Sequence, residues 1–411
     1  MARVVITGMG AVTPVGNDAP TMWRNVVEGR SGVGRITLFD ASDLETQIAA
    51  EVKDFDPSAL FGPKAARTMD RYAQFALAAA REAVADAGLE FGPGDNERVA
   101  VIVGTGVGGM TTVEQQMKIL NERGPRRVSP FFVPMMLADS AAGQIAIEYG
   151  IRGPNLAVIS ACASGANCIG EAAEMIRAGR VDKVICGAAE AGIIRLSIAA
   201  FNIMGAVSRR NDEPTRACRP FDANRDGFVM GEGAGIVVLE KLEDAQSRKA
   251  HIYAEIIGYG SSADAYHFTA PLESGAGAAL AMKGALTSAG LAPSDVDYIN
   301  AHGTSTPLND RAETLAIKSV FGKDAYRLAV SSTKSVTGHL LGASGAVEAI
   351  ITAKSLLEGI IPPTINYETP DPECDLDYTP NRARPASLRV ALSNSFGFGG
   401  HNASLALGRF G

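Results

Sequence analysis

The chain is expected to fold as an α/β protein, and three features of its sequence carry that expectation. Short β-branched runs end in glycine at several places: Val4-Val5-Ile6 before Gly8, Val99 to Val103 before Gly104, and Val181 to Cys186 before Gly187. Alanine-rich stretches with helical spacing lie between them. Related segments also recur in the two parts of the chain, which points to a duplicated unit. Strands alternating with helices predict buried sheets whose faces are covered by helices.

Taken in order, the first element is Arg3-Val-Val-Ile-Thr-Gly8, which reads as a buried strand. The segment from Met1 lacks the long apolar run and cleavage site of a secretory leader. A helix is predicted from Lys64 to Gly88. Met69, Tyr72, Ala76, Ala79, Ala83 and Ala87 recur there at steps of three and four, and Gly88 supplies the stop. Leu156-Ala-Val-Ile-Ser160 opens a Gly/Ala/Ser stretch leading into a helix with Glu171. Leu328-Ala-Val-Ser-Ser332 opens a similar stretch leading into a helix with Glu348. The strand before Gly8 is likewise matched by Ala254 to Ile257 before Gly258. The reading is two related halves, residues 1–250 and 251–411, joined near 245–253. The first carries the insertions.

Composition narrows the function classes. The chain has 411 residues, with Lys plus Arg 38 and Asp plus Glu 45, for a net charge of −7. At 46% hydrophobic and 20% charged it is an ordinary globular chain rather than a disordered one. The acidic balance argues against a dedicated nucleic-acid binder. The cysteines are Cys162, Cys168, Cys186, Cys218 and Cys374. An odd number at irregular spacing supports neither a disulfide framework nor a zinc site, and fits a reducing compartment such as the cytosol. No run of strongly apolar residues is long enough to span a membrane.

Among chemical groups, Cys162 stands out in Ile159-Ser-Ala-Cys-Ala-Ser-Gly165. A short strand running into small residues and then a helix puts its sulfur at a helix N-terminus. Unpaired N–H groups there favour the thiolate and can form an oxyanion hole. Local sequence alone leaves a second reading open: a free cysteine is commonly a small buried hydrophobe. His302 and His339 follow apolar strands beside flexible glycines, where an imidazole can donate to a developing oxyanion. Each also reads as a satisfied structural histidine. Gly8-Met-Gly10 and Gly104-Thr-Gly-Val-Gly-Gly109 lack the remaining features of a dinucleotide fingerprint, so a nicotinamide-dependent reductase is disfavoured.

The combination is more specific than its parts. Cysteine in an elbow is followed by His302-Gly-Thr-Ser-Thr306, then by Lys334-Ser-Val-Thr-Gly-His339, and finally by Asn394-Ser-Phe-Gly-Phe-Gly-Gly-His-Asn402. Over essentially its whole length the chain resembles the β-ketoacyl-acyl-carrier-protein synthases, condensing enzymes of the thiolase fold, and most of all their type II long-chain members. The resemblance implies a layered α-β-α-β-α sandwich of two related halves. It also implies decarboxylative condensation of malonyl-carrier protein with an acyl chain held on Cys162. His302 and His339 would then hold the thioester oxygen, and the Cys162 and Phe398 N–H groups the tetrahedral oxyanion. Lys334 and Glu313 would support the histidines. Phe398 would gate the pocket between Gly397 and Gly399, Val107 would limit acyl length, and Thr269, Thr304 and Thr306 would bind the pantetheine arm. No cofactor is required, although in some relatives a monovalent cation, Na+ or K+, sits where this chain has Asn300, Ala301, Glu348, Ser393 and Asn394. The implied partners are an acidic acyl carrier protein, met by Lys64, Arg67, Arg209 and Arg210, and a second copy of the chain. Gly205 departs from an arginine that relatives often carry. The rivals are a polyketide ketosynthase subunit, with the same catalytic residues, and a non-catalytic chain-length partner, which would lack the nucleophile.

Overall fold

The computed structural model describes residues 2–92 and 96–411; Met1 lies outside them. Its main sheet has ten strands. In chain order they are β1 (Val4–Val12), β2 (Val99–Gly104), β3 (Asn155–Leu156), β4 (Lys183–Glu190), β5 (Gly233–Lys241), β6 (Ala254–Ala263), β7 (Tyr298–Asn300), β8 (Ala329–Ser331), β9 (Val390–Gly397) and β10 (His401–Gly408). Six helices matter to the argument: α1 (Arg71–Asp86), α2 (Ser140–Tyr149), α3 (Ser164–Arg177), α4 (Ala276–Ala289), α5 (Pro307–Phe321) and α6 (Ser344–Glu358).

The duplication is exact at the level of topology. The order across the sheet is β8-β7-β9-β10-β6-β1-β5-β4-β2-β3. In the first half β2 runs parallel to β3 and β4, and β5 runs antiparallel to β4 and β1. In the second half β7 runs parallel to β8 and β9, and β10 antiparallel to β9 and β6. The halves join edge to edge where Val5 and Ile6 of β1 pair with Glu255 and Ala254 of β6.

Side-chain alternation along the strands sorts the core into layers. Val101 and Val103 of β2 point outward onto Tyr72 and Phe75 of α1 and Ile145 of α2. Ala100 and Ile102, one residue out of phase, point inward onto Ile169 of α3 and Ile350 of α6. In the other half Leu392 and Ala406 pack outward with Met282 of α4 and Ile317 of α5, while Leu405 and Leu407 face the central helices. Helices α3 and α6 each touch strands of both halves, so the order is helix, sheet, helix, sheet, helix. No helix among the described residues is long and apolar enough to cross a membrane.

Three local expectations change. The Lys64–Gly88 helix breaks into a short turn, Pro63–Ala66, and α1, because Asp70 caps α1 by accepting from the Tyr72 N–H at 3.2 Å. The Val181–Cys186 strand is shifted to β4, where its register against β5 runs on to Glu190↔Gly233. The Leu156–Ser160 run contributes only its first residue, Leu156, to the sheet beside Asn155, and the rest leads into the turn before α3.

Helices α3 and α6 meet through glycine. A Cβ on Gly165 would lie 2.6 Å from the Ala346 N, and one on Gly345 would lie 2.7 Å from the Ala166 N. Alanine at a helical glycine ordinarily gains about 1 kcal/mol from propensity. Here the backbone contact reverses the sign: Gly165→Ala is expected to lose about 1–3 kcal/mol. Urea unfolding checks this, and an unchanged or raised midpoint would contradict the packing described.

Candidate active site

Two turns at the central helices define the site. Ser160-Ala-Cys-Ala163 precedes α3, and Leu340-Leu-Gly-Ala343 precedes α6. Each forms one 3-10 turn entered through a residue with positive φ, Ala161 at 50° and Leu341 at 47°. Both are the same strand-to-helix elbow, used once in each half. Cys162 occupies the first, and Gly342 takes the matching place in the second.

His339 lies just before the second elbow. Its backbone N–H donates to Val229 O at 2.7 Å, which fixes the segment. Its Nε2 stands 3.2 Å from Cys162 Sγ, and its Nδ1 stands 2.9 Å from Ser344 Oγ, at the start of α6. A hydroxyl can donate or accept, so Ser344 tolerates either tautomer of the ring. Phe228 packs edge-on against the His339 ring, with centroids 5.4 Å apart.

His302 arrives from the end of β7. Its backbone N–H and that of Gly303 donate to the two oxygens of Glu313 at 2.9 and 2.7 Å, so α5 anchors the loop. Gly303 has a φ of 37°, and a Cβ there would lie 2.5 Å from Ser332 Cβ, so glycine is needed. The His302 and His339 rings lie edge to face with centroids 5.3 Å apart. His302 Nδ1 is buried and has no partner among the described residues. Lys334 is fully buried, and its Nζ pairs with Glu348 Oε1 at 2.5 Å.

Electrostatics follow from burial. Burial, reinforced by the Lys334 charge, holds both imidazoles well below their ordinary pKa of 6.5, so both are neutral at pH 7. Burial pushes the carboxyls of Glu313 and Glu348 up to about 7. The Cys162 sulfur departs from the sequence expectation of a thiolate. Burial pushes its thiol up to about 12, although Lys334 and the Phe398 and Cys162 N–H groups pull the other way. Loss of water outweighs the helix N-terminus, and the resting sulfur is a thiol beside a neutral imidazole.

A cavity of about 460 Å³ opens on these groups and is lined by Cys162, His302 and His339. Val107, Phe201 and Leu341 line it as well. So do Thr269, Thr304, Thr306 and Phe398, and the Thr304 and Thr306 hydroxyls lie 2.9 Å apart. Gly399 does not line the cavity. Its φ of 85° turns the chain beside Phe398, and its N–H donates to Phe268 O at 2.7 Å. Gly205 lines the cavity with Met204 and Ala206. Just beyond, Arg209 pairs with Glu45 at 2.6 Å and Arg210 with Asp226 at 3.6 Å. Lys64 and Arg67 are exposed and do not line the cavity. Of the residues the resemblance gives to a cation, Ser393 of β9 pairs with Asn300 of β7. Glu348 Oε2 and Ser393 Oγ are buried without partners among the described residues, while Asn300 Oδ1 accepts weakly from Thr333 at 3.4 Å. Asn394 instead donates to Glu313 at 3.3 Å and accepts from Ser404 at 2.9 Å.

Sequence reasoning missed Ser344 and Phe228. The signal for Ser344 was present, since it repeats Ser164 at the start of the matching helix. Phe228 reaches His339 only through the tertiary fold.

A nucleophile elbow facing two neutral imidazoles, in a duplicated five-layer body, is the layout of a thiolase-fold condensing enzyme. Comparison with known proteins gives the family. Residues 1–245 match the N-terminal domain of the beta-ketoacyl synthases and residues 253–368 match their C-terminal domain. The chain is 52% identical over 408 residues to a 3-oxoacyl-[acyl-carrier-protein] synthase 2 of Synechocystis sp., covering 99% of this chain and 98% of that one. It is equally similar, at 52% over 408 residues and the same coverage, to the protein of that name from Staphylococcus aureus. A beta-ketoacyl synthase from Burkholderia phymatum superposes with a TM-score of 0.93 at 37% identity, covering 100% of both chains. A type II polyketide ketosynthase, solved in complex with its acyl-carrier protein, superposes at 0.92 with 36% identity over 100% of both. The chain belongs to the beta-ketoacyl synthase family, whose members are condensing acyltransferases.

A thiol raised to about 12 makes a specific prediction. Only the thiolate alkylates readily, so iodoacetamide labelling of Cys162 is expected to rise about tenfold per pH unit between about pH 7 and 9. Intact-mass kinetics check this. A rate already on a plateau at neutral pH would mean that the sulfur is ionised at rest.

Proposed function

We propose that the chain elongates fatty acyl chains by decarboxylative condensation, taking acyl and malonyl groups from acyl carrier protein. The observation that carries this reading is the 3.2 Å approach of His339 Nε2 to Cys162 Sγ, with a second neutral imidazole opening on the same cavity.

In the first half-reaction, Cys162 Sγ attacks the acyl thioester carbonyl. The thiol proton passes to His339 Nε2 and then to the departing pantetheine sulfur. The Cys162 and Phe398 N–H groups hold the tetrahedral oxygen meanwhile. Malonyl-carrier protein enters next, its arm running past Thr269, Thr304 and Thr306. His302 and His339 donate to its thioester oxygen. The bond to the carboxylate breaks, CO₂ leaves, and its electron pair forms the enolate. The enolate carbon attacks the acyl-Cys162 carbonyl, the carbon–sulfur bond breaks, and the departing cysteine sulfur takes up a proton that comes from solvent. Neutral imidazoles suit this step. They stabilise the enolate by hydrogen bonding, whereas an imidazolium would protonate the carbon before it could attack.

Glu313 fixes the His302 loop, and Lys334 adds to burial in keeping the histidines uncharged. A structural Na+ or K+ would take the orphaned oxygens Glu348 Oε2 and Ser393 Oγ; the other positions the resemblance gives it are Asn300, Ala301 and Asn394. It would balance buried negative charge, and no redox or nucleotide cofactor enters the scheme. The acidic carrier protein would dock at the arginine-flanked mouth by Gly205. A second copy would cover the β3 edge, where Val107, Val133, Leu137, Leu156 and Ile159 are exposed. The setting proposed is the cytosol.

Cys162→Ala is expected to lower elongation by about 10⁴-fold or more. Cys162→Gln should lose acyl transfer yet still release CO₂ from malonyl-carrier protein. Product masses from acyl-carrier proteins of graded length provide the check, and full elongation by either variant would overturn the scheme. A single two-carbon extension by the unaltered enzyme supports fatty-acid elongation. A run of unreduced extensions would place the chain with the polyketide ketosynthases instead.

A further inference from the structure

Glu190 is a fully buried carboxylate for which the scheme above has no use. It ends β4, between the two segments that wall the acyl side of the cavity. Its Oε2 accepts from the Gly106 N–H at 2.7 Å and from the Gly342 N–H at 3.0 Å. Its Oε1 accepts from the Thr105 hydroxyl at 3.0 Å. Gly106 leads directly into Val107, and Gly342 follows Leu341; both of those side chains face the cavity.

The two N–H contacts each require a residue without a side chain. A Cβ on Gly342 would lie 2.3 Å from the Gly106 N, and one on Gly106 would lie 2.6 Å from Glu190 Oε2. The Thr105 carbonyl accepts from Ser164 Oγ at 3.1 Å, and Ser164 Oγ accepts from the Ser160 N–H at 2.9 Å, so the Cys162 elbow joins the same set. By the duplication, Gly342 stands in the second elbow where Cys162 stands in the first. The second elbow therefore presents its N–H to a carboxylate where the first presents its own to substrate.

We infer that Glu190 is a positioning residue that clamps the Val107 turn to the Leu341 elbow and thereby sets the width of the acyl channel. The clamp works through hydrogen bonds and does not need a charge. Gln in its place can accept both N–H groups with its oxygen and donate to Thr105 Oγ1. Burial already pushes the Glu190 carboxyl up to about 7, so near neutrality it exists partly in that same donor-acceptor form. His339 is held separately, through Val229 O and Ser344, so malonyl decarboxylation does not depend on the clamp.

The inference rests on the condensing reading for its substrate, and its test is arranged to separate the two. N-butyl and N-dodecyl iodoacetamide would label Cys162 in the full-length enzyme, with rates read by intact mass. Acylation by short and long acyl-carrier proteins and CO₂ release from malonyl-carrier protein would be read alongside. Glu190→Leu is expected to slow the dodecyl reagent about tenfold or more relative to butyl, since a wall displaced by about 1 Å can cost up to a hundredfold. CO₂ release should stay within about threefold, and Glu190→Gln should restore the long-to-short ratio of the unaltered enzyme. Thr105→Val, which removes one of three donors, should shift the ratio less and in the same direction, and it decides the matter if Glu190→Leu does not fold. An unchanged ratio in the folded variants would overturn the clamp, as would an equal loss for both reagents and for CO₂ release, or a failure of Gln to rescue. Failure of the unaltered enzyme to accept any acyl-carrier protein would overturn the condensing reading, while the reagent ratio would still report on the clamp.

Discussion

The site depends on one ion pair buried in the protein interior, Lys334 with Glu348. Lys334 has no exposure, and its ammonium is matched by a single oxygen of Glu348. The cost of burying a charge is met only in part by one partner, so its field acts on every titratable group nearby. It adds to burial in keeping His302 and His339 uncharged, and it opposes burial at Cys162. The chemistry needs that combination: donors that do not surrender a proton to a carbanion, and a sulfur whose proton must be moved before it attacks.

Duplication explains how such a site is assembled. Two copies of one five-strand unit put two elbows side by side at the N-termini of α3 and α6. One elbow keeps the nucleophile, and the other, relieved of a side chain at Gly342, packs against the Gly106 turn, while His339, just ahead of it, reaches the sulfur. The two central helices approach through Gly165 and Gly345, so the distance between the halves is fixed by backbone rather than by side chains that could adjust.

Much of this was legible in the sequence, for physical reasons that differ by element. The repeat of Leu156–Ser160 by Leu328–Ser332 located both elbows, because strand, small residues and helix form a local pattern. Cys162, His302 and His339 were legible together because each sits in a glycine-flanked turn after a strand. The protonation state of Cys162 was not legible. The helix N-terminus is a local feature, but the loss of water around the sulfur is made by segments far apart in the chain. The same holds for Phe228 against His339 and for the three donors of Glu190. The early end of the strand at Leu156 and the break before Arg71 were missed because apolar spacing continues through both, while hydrogen bonding stops.

The neutrality of the two imidazoles is the claim on which the rest stands. Nitrogen-15 NMR of histidine-labelled protein, with His302 and His339 assigned by substitution, measures it directly. Both rings should keep one protonated and one bare nitrogen throughout a titration from neutral pH down past their ordinary value of 6.5. A ring that takes up its second proton near that value would contradict the account.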